Sequence, residues 1–435
     1  MAFIRTIGRW AMTGLVINGV IGGGIFGVPG ELTHLLGRAS PFAMLLAALV
    51  MGIILAAITE VASQFSDAGG PYLYVRTAFG RFCGIQVGWF YLLSLISGAA
   101  ACTYLFVGYL ASFAPSVAVG WARTLAITAV VVVPTIANYF GVRSGTNLAN
   151  FFTVAKVLPL ALLIVLGVFR FGGHFQMIHA SEITHPGWNA WLTALLLLLF
   201  AYGGYEDSLS PLGEVKEPRR TVPFALGAGL LICATVYALI QFVTVAAIGT
   251  VATDRPLAEV AIRLIGHGGA IFVAIAVMIS TYGYVAGTIL TAPRLVYALS
   301  SEGDLPAPLS SLHPRYHTPG LAICVYALLV WLLALTGTFL WVVAVSAGSM
   351  AIYYGGICAA LIQLRKSQPH APAFRLPFGR AIALAGIAIC IALLTRLSLR
   401  EALLMGVTAL IASANYWWAR RRAIRTSVKP LEVPA

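Results

Sequence analysis

Charged residues are scarce in this sequence, and acidic residues are the rarest of them. Only 14 of its 435 residues are Asp or Glu, and all charged residues together make up 9% of the chain, whereas an average soluble domain has about 25%. Hydrophobic residues reach 60%. So few polar side chains cannot cover the surface of a soluble fold of this size. The composition therefore excludes a soluble globular protein, a disordered chain and a secreted disulfide scaffold, and it indicates a polytopic membrane protein.

The usual signatures of catalysis and cofactor binding are missing as well. The six cysteines are scattered one to an apolar stretch, with no CxxC pair, which is typical of packing residues. His174, His179 and His185 lie near one another, but their spacing fits no compact metal-binding motif. The sequence has no Gly-x-x-x-x-Gly-Lys phosphate loop. We therefore expect no cofactor, no metal site, no use of ATP and no enzymatic activity.

Long apolar stretches follow one another along almost the whole chain. A helix needs about 20 apolar residues to cross the hydrocarbon core of a bilayer, and we identify twelve stretches of this kind. The boundary near Thr336 is the least certain, because fusing the two spans there would leave eleven and would put the termini on opposite sides. The predicted spans are 11–35, 41–64, 82–113, 122–139, 147–169, 190–210, 223–248, 269–300, 319–337, 339–364, 380–396 and 401–419.

The distribution of basic residues predicts how these spans are oriented. Of the 27 Lys and Arg residues, 18 fall on the side of the two termini and 7 on the opposite side, while Lys156 and Arg294 fall within spans. Because basic residues concentrate in cytoplasmic segments, both termini are predicted to be cytoplasmic. The net charge of +13 then needs no nucleic-acid partner. The run 420–422 of three arginines is interpreted as an orientation signal that contacts anionic membrane lipid.

Clustered glycines interrupt two of the spans. The first span contains three consecutive glycines at 22–24, and the sixth contains Gly203 and Gly204. Each glycine inside a helix costs about 1 kcal/mol relative to alanine, and open backbone is tolerated at membrane depth only where it lines a cavity or is buried in protein. Close packing of small residues is the alternative explanation. Two interruptions in corresponding positions of two halves favour helix breaks of the kind found at the substrate site of a secondary transporter.

Several motifs together resemble those of the amino acid–polyamine–organocation superfamily of permeases. The stretch 213–223 after the sixth span is the most specific of them, whereas the proline that the family usually has near Ser66 is missing. The resemblance covers about residues 10–370. The stretches that carry it are 22–26 (Gly-x-Gly-Ile-Phe), 60–65 (beginning with Glu60), 69–74 (Gly-Gly-x-Tyr-x-Tyr), 213–223, 294–298 and 302–306.

The resemblance implies an all-α integral membrane fold with twelve transmembrane helices. Spans 1–5 and 6–10 would form a five-plus-five inverted repeat with broken helices 1 and 6, in a transporter core of residues 1–370. Residues 371–435 would add two transmembrane helices and a basic cytoplasmic tail. The implied function is alternating-access transport of amino acids across the inner or plasma membrane, with proton symport as the favoured mode. An exchanger of amino acids or polyamines is the alternative, and an integral membrane enzyme or a channel is a remote one.

A zwitterionic amino acid needs partners for both of its charged ends. A break in the first span exposes unpaired N–H groups, which attract a carboxylate, and the resemblance assigns this role to the glycines at 22–24. A break in the sixth span exposes backbone carbonyls that can accept from the ammonium group. Phe200 and Tyr202 resemble gate aromatics, although ordinary packing explains Tyr202 nearly as well. The expected substrate-binding residues are Gly22, Gly23, Gly24, Ile25, Phe200, Ala201, Tyr202 and Gly203.

Glu206 lies beside the break in the sixth span, where an acidic residue is costly and usually functional. Three roles compete: it carries or senses a proton, it binds a cationic side chain of the substrate, or it is a structural acceptor. We expect structure or gating rather than cationic specificity. Further side chains that could line the same cavity are Trp89, Tyr91, Tyr282, Ser346 and Ser349.

Lys156 is predicted to lie near the middle of the bilayer, because about nine residues of helix at 1.5 Å each separate it from the start of the fifth span. A lysine that faces lipid at this depth costs at least about 2.5–3.5 kcal/mol, so its side chain should face the interior. Burial disfavours the charged form, which permits reversible release of a proton. The resemblance to proton-coupled members favours coupling to protons rather than sodium. The alternative is a permanently charged lysine that only ties span 5 to span 1.

Overall fold

The chain folds into a bundle of α-helices. The computed structural model describes residues 7–65, 70–141, 146–171, 186–208, 215–249, 253, 255–368 and 374–427. Within these ranges every regular element is helical, apart from an isolated parallel bridge between Ile7 and Val215. The α-helices are α1 (Arg9–Val20), α2 (Gly24–Leu36), α3 (Ser40–Ala62), α4 (Gly70–Phe79), α5 (Arg81–Leu110), α6 (Gly120–Tyr139), α7 (Thr146–Phe171), α8 (Trp188–Ala201), α9 (Tyr205–Ser208), α10 (Pro218–Ile248), α11 (Pro256–Ile265), α12 (His267–Ser301), α13 (Gly320–Thr336), α14 (Phe339–Ser367), α15 (Gly379–Leu394) and α16 (Leu399–Ser427).

The described helices are those of a multi-pass membrane protein. Seven segments in the described part of the chain are long and apolar enough to cross a bilayer, and α8, α13 and α15 are shorter apolar helices. The seven segments are Gly24–Ala62, Arg81–Leu110, Gly120–Tyr139, Arg220–Ile248, His267–Ser301, Phe339–Ser367 and Leu399–Arg422.

Each of the twelve predicted spans overlaps one helix or one consecutive pair of helices. The pair α1 and α2 overlaps the first span, and the pair α8 and α9 overlaps the sixth. The uncertain boundary near Thr336 is a true interruption, since α13 ends at Thr336 and α14 begins at Phe339. The side chain of Thr338 accepts a hydrogen bond from the backbone N–H of Trp341 at 3.4 Å and so caps the start of α14.

Two ten-residue helices lie where the sequence analysis assigns none. Helices α4 and α11 are too short to cross a bilayer at 1.5 Å per residue. Each nevertheless buries one face: Tyr72 and Tyr74 are buried in α4, and Leu257 and Val260 in α11. A search for long apolar runs misses such helices because only one face of each is in contact with the bundle.

Helices α5 and α14 form the centre of the bundle. In the most apolar stretch of each helix, 78% of α5 and 72% of α14 is buried inside the protein, compared with 22% of both α6 and α16. The outer face of α6 carries exposed apolar side chains such as Trp121 and Leu125. Because such a surface is stable only against lipid, α6 and α16 lie at the periphery and the central pair is surrounded by protein.

A buried carboxylate ties the end of α12 to the start of α5. The fully buried Asp304 accepts a hydrogen bond from Nε of Arg81 at 2.5 Å and another from the hydroxyl of Tyr72. Beside it, Arg76 donates to Glu302 at 3.0 Å. Burial and the hydrogen bond to Asp304 raise the pKa of Tyr72, so the phenol keeps its proton and remains a donor. The network joins α4 and α5 to the loop that follows α12.

The last two helices pack against the others rather than standing apart. Arg365, near the end of α14, donates Nε and Nη2 to the two carboxylate oxygens of Glu60 at 2.7 and 2.6 Å, and the backbone N–H of Leu376 donates to the same carboxylate at 2.9 Å. In α16, Asn415 accepts from Nε1 of Trp89 at 2.9 Å. The segment before α15 and the middle of α16 are therefore fixed to the central helices.

Candidate functional site

A cavity lies where the two interrupted helices meet. Its volume is about 40 Å³, and α5, α12 and α14 supply the remaining walls. Within the described residues, only the first and sixth predicted spans are divided into two helices at clustered glycines. The cavity therefore lies at the two helix breaks that the sequence predicts. The lining residues are Gly19, Val20, Gly22, Gly23, Gly24, Tyr91, Ser94, Leu95, Cys102, Phe200, Gly203, Gly204, Glu206, Tyr284, Ser346, Met350 and Tyr353.

The first interruption separates α1 from α2 at residues 21–23. The N–H of Gly22 donates to the carbonyl of Val20 at 2.7 Å, a contact too local to continue a helix. Helix α2 then begins at Gly24, and the first N–H groups of any helix have no carbonyl one turn before them. A Cβ on Gly23 would lie 2.6 Å from Sγ of Cys102. Glycine is therefore required at Gly23 by the close approach of α5.

The second interruption separates α8 from α9 at residues 202–204. The N–H of Gly203 donates to the carbonyl of Phe200 at 3.2 Å, and Gly204 has φ +99°, which favours glycine. The hydroxyl of Tyr237 lies 3.0 Å from the carbonyl oxygen of Ala201 and 2.9 Å from that of Val20. One phenol on α10 therefore bridges the two interruptions, and the Ala201 carbonyl, expected to accept from a substrate, already has a donor.

Glu206 is held as a hydrogen-bond acceptor at one wall of the cavity. Its Oε1 accepts from the hydroxyl of Tyr353 at 2.6 Å, and its Oε2 accepts from the N–H of Gly204 at 3.2 Å. The ring of Tyr353 in turn contacts the ring of Tyr91 edge to face, with centroids 5.3 Å apart. These contacts link the second interruption to α14 and α5 through side chains that all line the cavity.

Lys156 is buried on α7 and faces the bundle. Its side chain donates from Nζ to the backbone oxygen of Asn18 at 2.8 Å, and the residue is 6% exposed. Asn18 precedes the interruption between α1 and α2 by three residues. The lysine therefore contacts the first span next to its break, but it does not line the cavity.

The structure brings most of the predicted substrate-binding residues to the cavity and places the others behind it. Gly22, Gly23, Gly24, Phe200 and Gly203 line it, as do Tyr91 and Ser346. Ile25 and Ala201 are buried next to it without lining it.

The hydroxyl of Tyr202 donates to the carbonyl of Met44 at 3.0 Å, away from the cavity. The same holds for Trp89, which contacts Asn415, for Tyr282, whose ring contacts Phe106, and for Ser349, which donates to Val345 of its own helix.

Several lining residues escape sequence reasoning. Tyr284 on α12, Met350 and Tyr353 on α14, and Ser94 and Cys102 on α5 belong to no motif and sit in uniformly apolar helices. Helical periodicity gives no usable signal there, because these helices contact protein on several sides. Only the packing of α5, α12 and α14 around the breaks identifies these residues.

The three loop histidines, His174, His179 and His185, lie outside the described residues, as do Gly213 and Glu214 of the most specific motif. Among the residues that the structure describes, no group of three or more His, Cys, Asp or Glu side chains is placed to hold a metal ion.

Comparison with known proteins adds to this geometry. A family model described as amino acid permease matches residues 7–419. The serine/threonine exchanger SteT of Bacillus subtilis is 28% identical over 330 residues, which cover 73% of this chain and 74% of the exchanger. The large neutral amino acids transporter small subunit 2 of Mus musculus is 27% identical over 394 residues, covering 86% of this chain and 72% of that protein. A putative arginine/ornithine antiporter of Bacillus subtilis is 28% identical over 335 residues, covering 69% and 70%. These relatives are named as transporters, not enzymes.

Proposed function

The chain belongs to the amino acid permease family, and we propose that it is a secondary active transporter that carries amino acids across the inner or plasma membrane by alternating access, coupled to protons. The observation that carries this proposal is the cavity at the junction of two glycine-interrupted helices. Interrupted helices place unpaired backbone groups at membrane depth, where they serve a polar substrate.

We propose that the membrane topology has twelve spans and that both termini are cytoplasmic. Residues 1–370 form the transporter core, with spans 1–5 and 6–10 as inverted halves, and residues 371–435 add two helices and the basic tail. The excess of basic residues on the side of the termini supports this orientation. In α16 the guanidinium of Arg420 lies 5.4 Å from the ring centre of Trp417, and this pair suits the boundary between lipid headgroups and acyl chains.

The substrate binds through its backbone charges in this proposal. The N–H groups at the start of α2, next to Gly23 and Gly24, receive the carboxylate, because a helix N-terminus attracts anions. The carbonyls at the end of α8 receive the ammonium group. Since the Ala201 carbonyl is already bonded to Tyr237, and the Phe200 carbonyl accepts from the N–H of Gly203, the carbonyl of Gly203 is the acceptor that we assign to it. Phe200 closes over the bound molecule.

Lys156 couples transport to protons in this proposal. Its ammonium group holds the carbonyl of Asn18, three residues before the break in the first span. A neutral amine would hold that carbonyl less strongly, so gain and loss of a proton would shift the position of α1 relative to α7. The bond between Glu206 and Tyr353 serves as a gate on the opposite wall, because it joins the second break to α14.

An exchange mechanism is the second candidate, and one observation favours it. Lys156 is already bonded to backbone, as a permanently charged lysine that only ties α7 to α1 would be. SteT and the putative antiporter are also named as exchangers. An exchanger moves one substrate only when it returns another, so proton coupling would be unnecessary.

Transport into vesicles tests both candidates. The purified protein is reconstituted into proteoliposomes, and uptake of labelled amino acids is measured with and without an imposed pH gradient and with and without substrate inside. A proton symporter concentrates substrate into empty vesicles when the outside is acidic, and a protonophore stops it. An exchanger takes up label only into loaded vesicles. Uptake that internal substrate does not accelerate and that no gradient drives would contradict both forms of the proposal.

A further inference from the structure

We infer that the cavity selects small amino acids with uncharged side chains and prefers those that carry a hydroxyl group. The inference rests on the proposed function, in which this cavity binds an amino acid, and it adds the class of side chain. Three features of the walls carry it: their charge, their size and one hydroxyl group.

The charge of the walls disfavours acidic side chains and leaves a cationic one no carboxylate of its own. Glu206 is the one charged residue among those that line the cavity in the described part of the chain. Both of its carboxylate oxygens already accept hydrogen bonds, from Tyr353 and from Gly204. A cationic side chain would have to share this carboxylate with the two donors that already bond to it, and an acidic one would face a carboxylate with no cation among the lining residues to balance it. Lys156 does not balance it, since it does not line the cavity and is bonded to Asn18.

The small size of the cavity disfavours long side chains. Its volume is about 40 Å³, so a bound amino acid has to move some of the walls, and a long side chain has to move them further than a short one. Met350 packs tightly against the second break: a Cβ added to Gly203 would lie only 2.2 Å from its Cε. Tyr284 packs against the first break: a Cβ added to Gly22 would lie 3.7 Å from its Cδ2. Every carbon added to a substrate side chain therefore has to displace one of these two residues.

One wall offers a buried hydroxyl group that nothing in the described structure uses. Ser94 on α5 is 6% exposed and lines the cavity, and its hydroxyl makes no hydrogen bond with any other described residue. The hydroxyl of Ser97, one turn further along the same helix, donates to the carbonyl of Leu93 at 2.6 Å. Ser346 donates to the carbonyl of Ser94 at 3.0 Å and brings a second hydroxyl to the same wall.

The Ser94 hydroxyl is open to the cavity and is not enclosed by protein, so a molecule bound in the cavity can reach it. A hydroxyl on the substrate would supply the missing partner of Ser94. A site that forms such a bond discriminates against the analogue that lacks the hydroxyl, whereas apolar walls alone discriminate weakly between substrates of similar size. Serine and threonine should therefore bind more tightly than alanine, and alanine more tightly than leucine.

The first experiment measures binding to the purified wild-type protein by its shift in melting temperature and by competition against labelled serine in proteoliposomes. The panel is glycine, alanine, serine, threonine, leucine, phenylalanine, lysine and glutamate. We expect serine and threonine to bind most tightly and lysine, glutamate and phenylalanine to compete least. Best binding of leucine, phenylalanine or lysine would overturn the inference while leaving amino acid transport intact. If no amino acid binds or is transported, the proposed function itself fails.

The second experiment uses matched serine variants. Ser94→Ala should weaken binding of serine by about three- to ten-fold, as expected for one lost hydrogen bond, and leave binding of alanine unchanged. Ser97→Ala is the control, because that hydroxyl is bonded to its own helix. Met350→Ala should admit leucine. Equal weakening of serine and alanine by Ser94→Ala would refute the hydroxyl preference. If Ser94→Ala does not yield a monodisperse protein, Ser94→Cys, which keeps the size and weakens the donor, takes its place.

Discussion

Gly19 and Gly204 meet backbone to backbone across the two interrupted helices. A Cβ on Gly19 would lie 2.6 Å from the carbonyl oxygen of Gly204, and a Cβ on Gly204 would lie 2.5 Å from the carbonyl oxygen of Gly19. The contact is reciprocal and involves no flexible side chain that could move aside. It therefore fixes the distance between α1 and the second break, on which the shape of the cavity depends.

We expect Gly19→Ala and Gly204→Ala each to destabilise the protein, because an added methyl group must push two backbones apart. Overpacking of this kind typically costs about 1–3 kcal/mol, and Gly204 adds backbone strain at its positive φ. Gly108→Ala is the control, since a Cβ there meets nothing within 4 Å. Melting temperatures in detergent check the prediction. Equal melting temperatures for all three variants would show that the two backbones can separate at no cost.

Gly23→Val is expected to abolish substrate binding while leaving membrane insertion intact. The first carbon of the valine would already clash with Sγ of Cys102, and the two methyl groups would enter the space needed by a carboxylate. Gly14→Val is the matched control, because it lies in α1 and a Cβ there meets nothing. Substrate-dependent thermal stabilisation is the measurement. Unchanged affinity in a monodisperse Gly23→Val protein would contradict the assignment of the carboxylate to this break.

Glu206→Gln is expected to slow transport by about ten-fold and to change substrate affinity less. The substitution weakens the bond from Tyr353, and a hydrogen bond to a charged group contributes about 1.5–3 kcal/mol. Tyr353→Phe separates the roles left open for Glu206. If the carboxylate acts as a gate through this bond, both variants slow transport alike. If it carries a proton, only Glu206→Gln changes the pH dependence. Transport by both variants at the wild-type rate and pH dependence would exclude the two roles.

Lys156→Ala is expected to abolish uptake driven by a pH gradient, and wild-type uptake is expected to need no sodium. The variant removes the one described side chain that bonds to Asn18. Lys156→Arg is the matched variant for comparison, because arginine keeps its proton, and therefore its positive charge, near neutral pH. A proton-coupling lysine predicts that Lys156→Arg still exchanges substrate between loaded vesicles but does not concentrate it. Strict sodium dependence, or accumulation by Lys156→Ala under a proton gradient alone, would eliminate this mechanism.

Both termini are expected to react only from the cytoplasmic side. Single cysteines placed before α1 and after α16, in a background where exposed Cys324 is replaced by serine, provide the probes. An impermeant maleimide should label them in inside-out vesicles but not in intact cells. Labelling of the C-terminal probe in intact cells would contradict an even number of spans.

The sequence by itself determined the class of this protein and the location of its interruptions. Scarcity of charge excluded every soluble class, and the glycine clusters at 22–24 and 203–204 fell where α1 ends before α2 and where α8 ends before α9. Both conclusions follow from local physics, since a bilayer penalises charge and open backbone wherever they occur. The inward orientation of Lys156 followed from the same cost, and its burial and its contact with Asn18 agree with it.

The tertiary structure alone decided which side chains surround those interruptions. Tyr237 bridges the two breaks from α10, Tyr353 bonds to Glu206 from α14, and Ser94 faces the cavity from α5, yet none of these residues belongs to a recognisable pattern. Tyr202, by contrast, points away from the cavity toward Met44. The physical reason is that a membrane helix is apolar on all sides, so its sequence does not record which face meets lipid, which meets another helix and which meets the substrate.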